Sequence, residues 1–325
     1  MVSFLVGAIA LATVFLFGCV GEIITEKAGH LNLGIPGIRC VGTAGGCYAV
    51  SLYMRALSNP MDASWLVMIL LSILSAALFA AALGGIYGLL TVTLRCNQNI
   101  TGLSITIFGN GFAQFFMDTY VLTCDADRAN FEQAGKIISK GLPFADSLGA
   151  FGKIFFSHGV LVYLAIAIAI LAAWFLKKTR AGLHLRSVGE NPATADAAGI
   201  NVTAYKYGAI LAGSGIAGLG GFFYIMDYIK GSWENAATIE ALGWLSVALV
   251  IFTIWKPNLS ILGSFIFAAL YITAYYTKGG STQKELLKLI PYVMTVVVLI
   301  ATSIKGSKNN QAPASLGLSY FREER

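Results

Sequence analysis

Charge is what this sequence has least of. Lys, Arg, Asp and Glu make up 12% of its 325 residues, about half the share in an ordinary soluble domain. Hydrophobic residues reach 57% and mean hydropathy is +0.73, a balance that excludes a soluble fold. Histidine is sparse, and His30, His158 and His184 lie far apart. The cysteines at 19, 40, 47, 96 and 124 have no CxxC spacing and no histidine at ligand distance. Common zinc and redox sites are therefore not expected, and neither a metal nor a catalytic residue is assigned. No GxxxxGK[ST] loop occurs: the Gly-Lys pairs at 135–136 and 152–153 lack the upstream glycine and the following Ser or Thr. ATP hydrolysis by that route is excluded. Ionisable residues are also scarce within the apolar runs. Arg39 and Asp118 are the candidates, expected toward span ends, which weighs against an ion-coupled carrier. No Lys or Arg precedes Lys27, so the box Leu16-Phe17-Gly18-Cys19 lacks the basic region of a signal peptide.

What is present is a series of apolar runs about 20 residues long, continuous rather than alternating. Such runs cross a bilayer as helices, because hydrocarbon leaves backbone groups no other partners. The expected fold is an all-α, polytopic transmembrane helix bundle of about nine spans, within a range of eight to ten. The spans are 2–20, 34–57, 65–90, 100–120, 159–176, 207–226, 239–254, 259–276 and 286–304. They form a membrane domain over residues 1–305, followed by a polar, mobile tail over 306–325. Small-xxx-small patterns at Gly42/Gly46, at Gly84/Gly88 and between Gly213 and Gly221 predict close helix crossings.

One polar segment, 177–206, interrupts the apolar pattern with its own short helix. Asn191 suits the N-cap, Pro192 the first helical position, and Gly199 a left-handed ending. Its Ala-sized apolar side is too small to hold lipid and suits a narrow protein cleft. The plainer reading is a solvated connector. Lys177, Lys178, Arg180, Arg186 and Lys206 bias this loop to the inner face, which puts the N-terminus outside and the C-terminus inside. The net charge of +6 then belongs to a membrane face rather than a nucleic-acid site.

Two further segments carry polar groups at membrane depth. Asn32, Gly34, Pro36 and Gly37 crowd the start of the second span. They fit either a plain helix start or an irregular stretch lining a watery route. In the fourth span Ser104, Asn110, Gln114 and Asp118 fall near one helix face. They suit interhelical hydrogen bonds or, less commonly, the lining of a path for a small polar solute. Phe112, Phe115 and Phe116 nearby suit contact with lipid or the bundle core or, less commonly, stacking on a nucleobase. In the outer loop, 122–158, Leu148, Phe151, Ile154 and Phe155 recur at helical spacing and predict an interfacial helix.

The strings RSVGENPATADAAGINV and GEIITEKAGHLNLGIPGI resemble the coupling segment and the second-span entry of ABC-importer permeases of the nucleoside and simple-sugar branch. With the matching spans, the resemblance extends to about Ser303, and the chain looks like the shorter of two paired permeases. It implies that Arg186, Gly189, Glu190, Asn191, Pro192, Ala193, Asp196, Ala198 and Gly199 couple the chain to an ATPase. The segment from Asn32 to Arg39 is implied to belong to the permeation core, and the outer loop to help dock a substrate-delivering lipoprotein. The implied assembly has a longer permease, an ABC ATPase that uses ATP and Mg, and an extracytoplasmic binding lipoprotein, all at a bacterial cytoplasmic membrane. The chain itself would bind no cofactor. The implied cargo is a nucleoside, with a simple sugar as the alternative; a gradient-driven carrier is the rival outside the family. Two positions depart from the family pattern: Pro36 stands where Glu is typical, and Arg39 where Met is typical.

Overall fold

A computed structural model describes residues 2–57, 59–143, 145–277, 280–305 and 311–321. In chain order the helices are α1 (Val2–Lys27), α2 (Ile35–Ala56), α3 (Trp65–Gly88), α4 (Gln98–Phe116), α5 (Asp125–Ile138), α6 (Gly149–Phe155) and α7 (Val160–Lys178). They continue with α8 (Arg180–Glu190), α9 (Pro192–Ala197), α10 (Val202–Phe223), α11 (Ala236–Phe252), α12 (Pro257–Tyr276), α13 (Ser281–Lys288) and α14 (Ile290–Lys305). No strand occurs among the described residues.

α1 is apolar on every side, and such a helix belongs inside a bundle. It is buried almost without a break from Leu11 to Glu26 and packs against α10, α12 and α11. α2 lies between α3, α10 and α4. Glycines set how closely these helices cross. A Cβ on Gly42 would stand 2.6 Å from the Cα of Gly218, and one on Gly37 would stand 2.4 Å from the carbonyl of Ile105. Both crossings therefore exclude a larger residue.

Among the described residues six helices are long and apolar enough to span a bilayer: α1, α7, α12, and α3, α4 and α10 taken with their terminal turns. Those last three each end in a wider turn, with Leu94, Leu122 and Ile229 N–H groups reaching five residues back, the geometry of a π-turn. The other three expected spans coincide with α2, which is rich in glycine and carries Arg39, and with α11 and α14, of 17 and 16 residues.

Several expectations change. α1 runs to Lys27 rather than to residue 20, and the extension carries Glu22 and Glu26 into the interior at 0% and 3% exposure. α10 starts at Val202, so Lys206 is a buried helical residue and not the end of a loop. The segment expected as the outer loop, 122–158, holds α5 as well as the helix expected at Leu148–Phe155, α6, whose Phe151 and Phe155 are exposed. α2 begins plainly, with Gly34 at its N-cap and Pro36 in its first turn.

The tail also departs from expectation. Residues 311–321 lie packed across α8 and α9, whereas 306–310 and 322–325 fall outside the described residues. Ser315 donates its N–H and its hydroxyl to the carbonyl of Gly189, at 3.0 and 2.5 Å. That carbonyl is one of the last four of α8, which have no partner within the helix. The polar composition that suggests mobility here supplies the donors that close a helix end.

Candidate functional site

Helix α9 is defined at both ends by local chemistry. Asn191 Oδ1 accepts the Thr194 N–H at 3.0 Å, and Pro192 occupies the first turn, where no donor is needed. At the other end the Gly199 N–H donates to the Asp196 carbonyl at 2.9 Å, and the Ile200 N–H to the Ala195 carbonyl at 3.0 Å. This pair is a Schellman ending, and Gly199 takes the left-handed φ of +80° that it requires. Asn201 then caps α10 by accepting the Ala204 N–H. Thr179 caps α8 in the same way, through Gly182.

α9 has one anchored side and one open side. Ala195 packs between Val188 of α8 and Val202 of α10, with Ile200 and Tyr320 beside it. Asn191, Thr194, Ala197, Ala198 and Gly199 are exposed. Of the other expected coupling residues, Glu190 is exposed and accepts the Ala314 N–H at 3.4 Å, while Pro192 and Ala193 are half-buried. Asp196 accepts the Tyr320 hydroxyl at 2.7 Å. Gly189 is buried because a Cβ there would stand 2.3 Å from the Lys27 carbonyl. Arg186 lines a cavity of about 690 Å³ with Lys27, Glu190 and Lys256. The result is a rigid, small-featured knob at one end of the bundle, joined to α1 through Gly189 and to α10 through Asn201.

The polar groups expected along a pathway do not all meet. Asn110 of α4 donates to the carboxylate of Glu240 on α11, which Trp244 Nε1 also approaches at 3.4 Å. Gln114 accepts the N–H of Ala236 at 2.8 Å and donates to Asp118 at 2.6 Å, and Asp118 faces Trp233 Nε1 at 3.3 Å. These residues form one seam where α4 meets the start of α11. Ser104 lies outside it, exposed and bonded to its own helix at the Ile100 carbonyl. Asn32 is buried elsewhere: its N–H donates to Glu22 Oε1 at 3.0 Å, and its Oδ1 accepts the Gly34 N–H at 3.0 Å. Gly34 and Gly37 pack against α4 at Ile105 and Thr106.

The interior holds more charge than the sequence reading allowed. Besides Glu22 and Glu26, Asp227 is buried in the terminal turn of α10, and Glu240 is half-buried within α11. Trp255 Nε1 donates to Glu26. Arg39 is not near a span end in space. It lies fully buried beside Gly18, at the middle of α1, donating through Nη1 to Leu242 O at 3.0 Å and Ser246 Oγ at 2.8 Å. The signal for Glu240 was present, since an acid inside the run AATIEALGWL needs a partner. Glu22 and Glu26 lie beyond residue 20, where hydropathy alone ends the first span, while α1 continues to Lys27.

Residues 4–299 match the family model described as "Branched-chain amino acid transport system / permease component". The chain is 32% identical over 320 residues to the "Nucleoside ABC transporter permease protein NupC" of Lactococcus lactis subsp. cremoris (strain MG1363), covering 96% of this chain and 95% of that one. It is 28% identical over 335 residues to the "Putative glucose ABC transporter permease protein TsgC13" of Haloferax volcanii, covering 96% and 95%. It is 26% identical over 316 residues to the "Guanosine ABC transporter permease protein NupQ" of Bacillus subtilis (strain 168), covering 94% and 92%. No solved structure matches.

Proposed function

Because this chain belongs to the family of permease components of branched-chain amino acid transport systems, we propose that it is the membrane-spanning subunit of an ATP-driven importer of nucleosides. The observation that carries the coupling part of this reading is α9, a helix capped at both ends with Thr194, Ala197, Ala198 and Gly199 on an open face. Small exposed side chains suit insertion into a cleft of a partner ATPase. Rigid connections through Gly189 and Asn201 would pass its displacement to α1 and α10. ATP then biases the permease between outward- and inward-open states by differential binding. The ATPase, a second permease and an extracytoplasmic binding lipoprotein complete the assembly, at a bacterial cytoplasmic membrane with α9 on the inner side. The chain is a transport subunit and not an enzyme.

The seam between α4 and α11 is the proposed solute-facing region. Its amides and carboxylates match the donors and acceptors of an uncharged nucleoside. The nucleoside-named relatives NupC and NupQ favour that cargo, and the similarity to a protein named as a glucose permease keeps a simple sugar as the second reading.

Uptake in proteoliposomes carrying the chain with its partners tests both parts. Labelled uridine should accumulate with ATP inside and not with a proton gradient alone, and excess unlabelled nucleoside should compete where glucose does not. Competition by glucose alone would shift the cargo to sugars. Variants at Glu190, Asn191 and Gly199 should keep the chain in the membrane while ATP hydrolysis no longer drives uptake. Normal uptake by those variants would remove the coupling role of α9.

A further inference from the structure

Beside α9 lies a polar cavity of about 470 Å³ bounded by the last turn of α3, the start of α10 and the tail. The cavity is of a size to hold a small ligand. Lys206 lines it and is only 3% exposed, yet no hydrogen bond or ion pair reaches its ammonium among the described residues. A cation largely withdrawn from water without a partner is costly, so an anion in this cavity gains more than one at the surface. Val202 and Thr203, the first two residues of α10, line the same cavity. Their N–H groups have no acceptor within the helix, and Asn201 Oδ1 takes only that of Ala204.

The surrounding groups favour negative charge. Arg95 lines the mouth, its guanidinium stacked 4.8 Å over the ring of Phe321. His30 donates from Nε2 to Thr91 Oγ1 at 3.0 Å, because that hydroxyl already donates to the Tyr87 carbonyl at 2.8 Å. Burial, helped by the charge of Lys206, pushes His30 down to about 3 and keeps its ring neutral. Among the described residues Asp196 is the one carboxylate lining the cavity, and the Tyr320 hydroxyl donates to it.

We propose that this cavity binds the phosphate group of a small phosphoester, held by Lys206, by the first N–H groups of α10 and by Arg95. An ammonium, a guanidinium and helix-end N–H groups together suit an oxyanion with several acceptors. The cavity has room for more than the phosphate itself. Two sources supply this chemistry: the headgroup of an anionic phospholipid, or a soluble phosphate monoester. The site adjoins the Gly199 end of α9, so occupancy would fasten the tail, α9 and α10 together.

The test is binding, so its failure is distinguishable from failure of the transport reading. The intact transporter, with its partner subunits, is placed in nanodiscs of phosphatidylcholine alone or with phosphatidylglycerol added. Native mass spectrometry counts retained phosphatidylglycerol. In the phosphatidylcholine discs, thermal midpoints are read against inorganic phosphate and uridine monophosphate, with chloride at equal ionic strength as control. Retained phosphatidylglycerol identifies a lipid source, and a midpoint raised by phosphate or the monoester identifies a soluble one. In either arm Lys206→Gln should weaken binding at least tenfold, and Lys206→Arg should keep it. Thr203→Asp should also abolish binding: it leaves α10 intact, since an acid suits a helix N-terminus, but sets a negative charge in the mouth. No response above chloride and no retained phosphatidylglycerol in the unaltered protein overturns the proposal. So does an unchanged response in folded Thr203→Asp.

Discussion

Arg39 carries a charge among α1, α10 and α11 with no carboxylate bonded to it, and its Nε and Nη2 have no acceptor among the described residues. Its two hydrogen bonds, both from Nη1, go to a carbonyl and a hydroxyl. Replacing a poorly compensated buried ion by an apolar residue of similar volume is often neutral or stabilising, by up to about 4 kcal/mol. Arg39→Met should therefore keep or raise the thermal midpoint in detergent. A loss of about 3 kcal/mol or more would show that the guanidinium is paired in the native state. His30 gives the second prediction at this scale. Held neutral in the fold with its value near 3, and near 6.5 when unfolded, it binds more protons unfolded throughout that interval. Its contribution is complete above pH ~6.5 and is lost as pH falls toward 3. Between about pH 7 and pH 5 the native chain should lose more thermal stability than His30→Gln, which retains a donor for Thr91. Equal losses would mean His30 is accessible to protons. The sequence presented both residues but neither environment. Arg39 looked like a span-end charge, and its neighbours, Leu242 and Ser246, are more than 200 positions away in the chain.

For single elements, legibility followed how local the determining forces are. The caps of α9 were readable because Asn191, Pro192 and Gly199 act within four residues of their partners. Asn191→Ala should cost about 1 kcal/mol of local helix stability. It should raise amide exchange across 193–198 while leaving α10 protected; unchanged exchange would mean that packing at Ala195, and not the cap, holds the helix. The docking of the tail is not legible in the sequence for the opposite reason. Its partners, the carbonyls of Val188 and Gly189 and the carboxylate of Asp196, lie more than 120 residues away. Ending the chain at residue 310 should leave the Gly189 carbonyl without these donors, and exchange near the end of α8 should rise. Such a variant with native protection there would show that the strap is dispensable. The boundary of α1 was misplaced because hydropathy falls at Glu22, whereas a helix continues wherever its side chains find partners, as Glu22 does at Asn32 and Glu26 at Trp255.

At the scale of the molecule, the orientation rests on basic residues near α8 and α9, and it can be read directly. A thiol introduced as Thr194→Cys stands on the open face of α9. With the exposed Cys96 and Cys124 replaced by serine, an impermeant maleimide should label it in inverted vesicles and not in intact cells. Labelling of intact cells would invert the proposed arrangement and place α9 away from any cytoplasmic motor. The same comparison separates the two ends of the bundle, because the α4–α11 seam at Gln114 and Trp233 should react from the opposite side when given a thiol.

By itself the sequence determined that this is a helical membrane protein with a short, capped helix in its main polar loop. Those properties come from hydropathy over about 20 residues and from hydrogen bonds spanning three or four. Only the tertiary structure decided which polar groups meet. It joined Asn110 to Glu240, set Lys206 inside a cavity, seated Arg39 mid-bundle and folded the tail over Gly189. A buried polar group must find a partner wherever in the chain one lies, and nothing in local spacing records a contact made across the whole molecule.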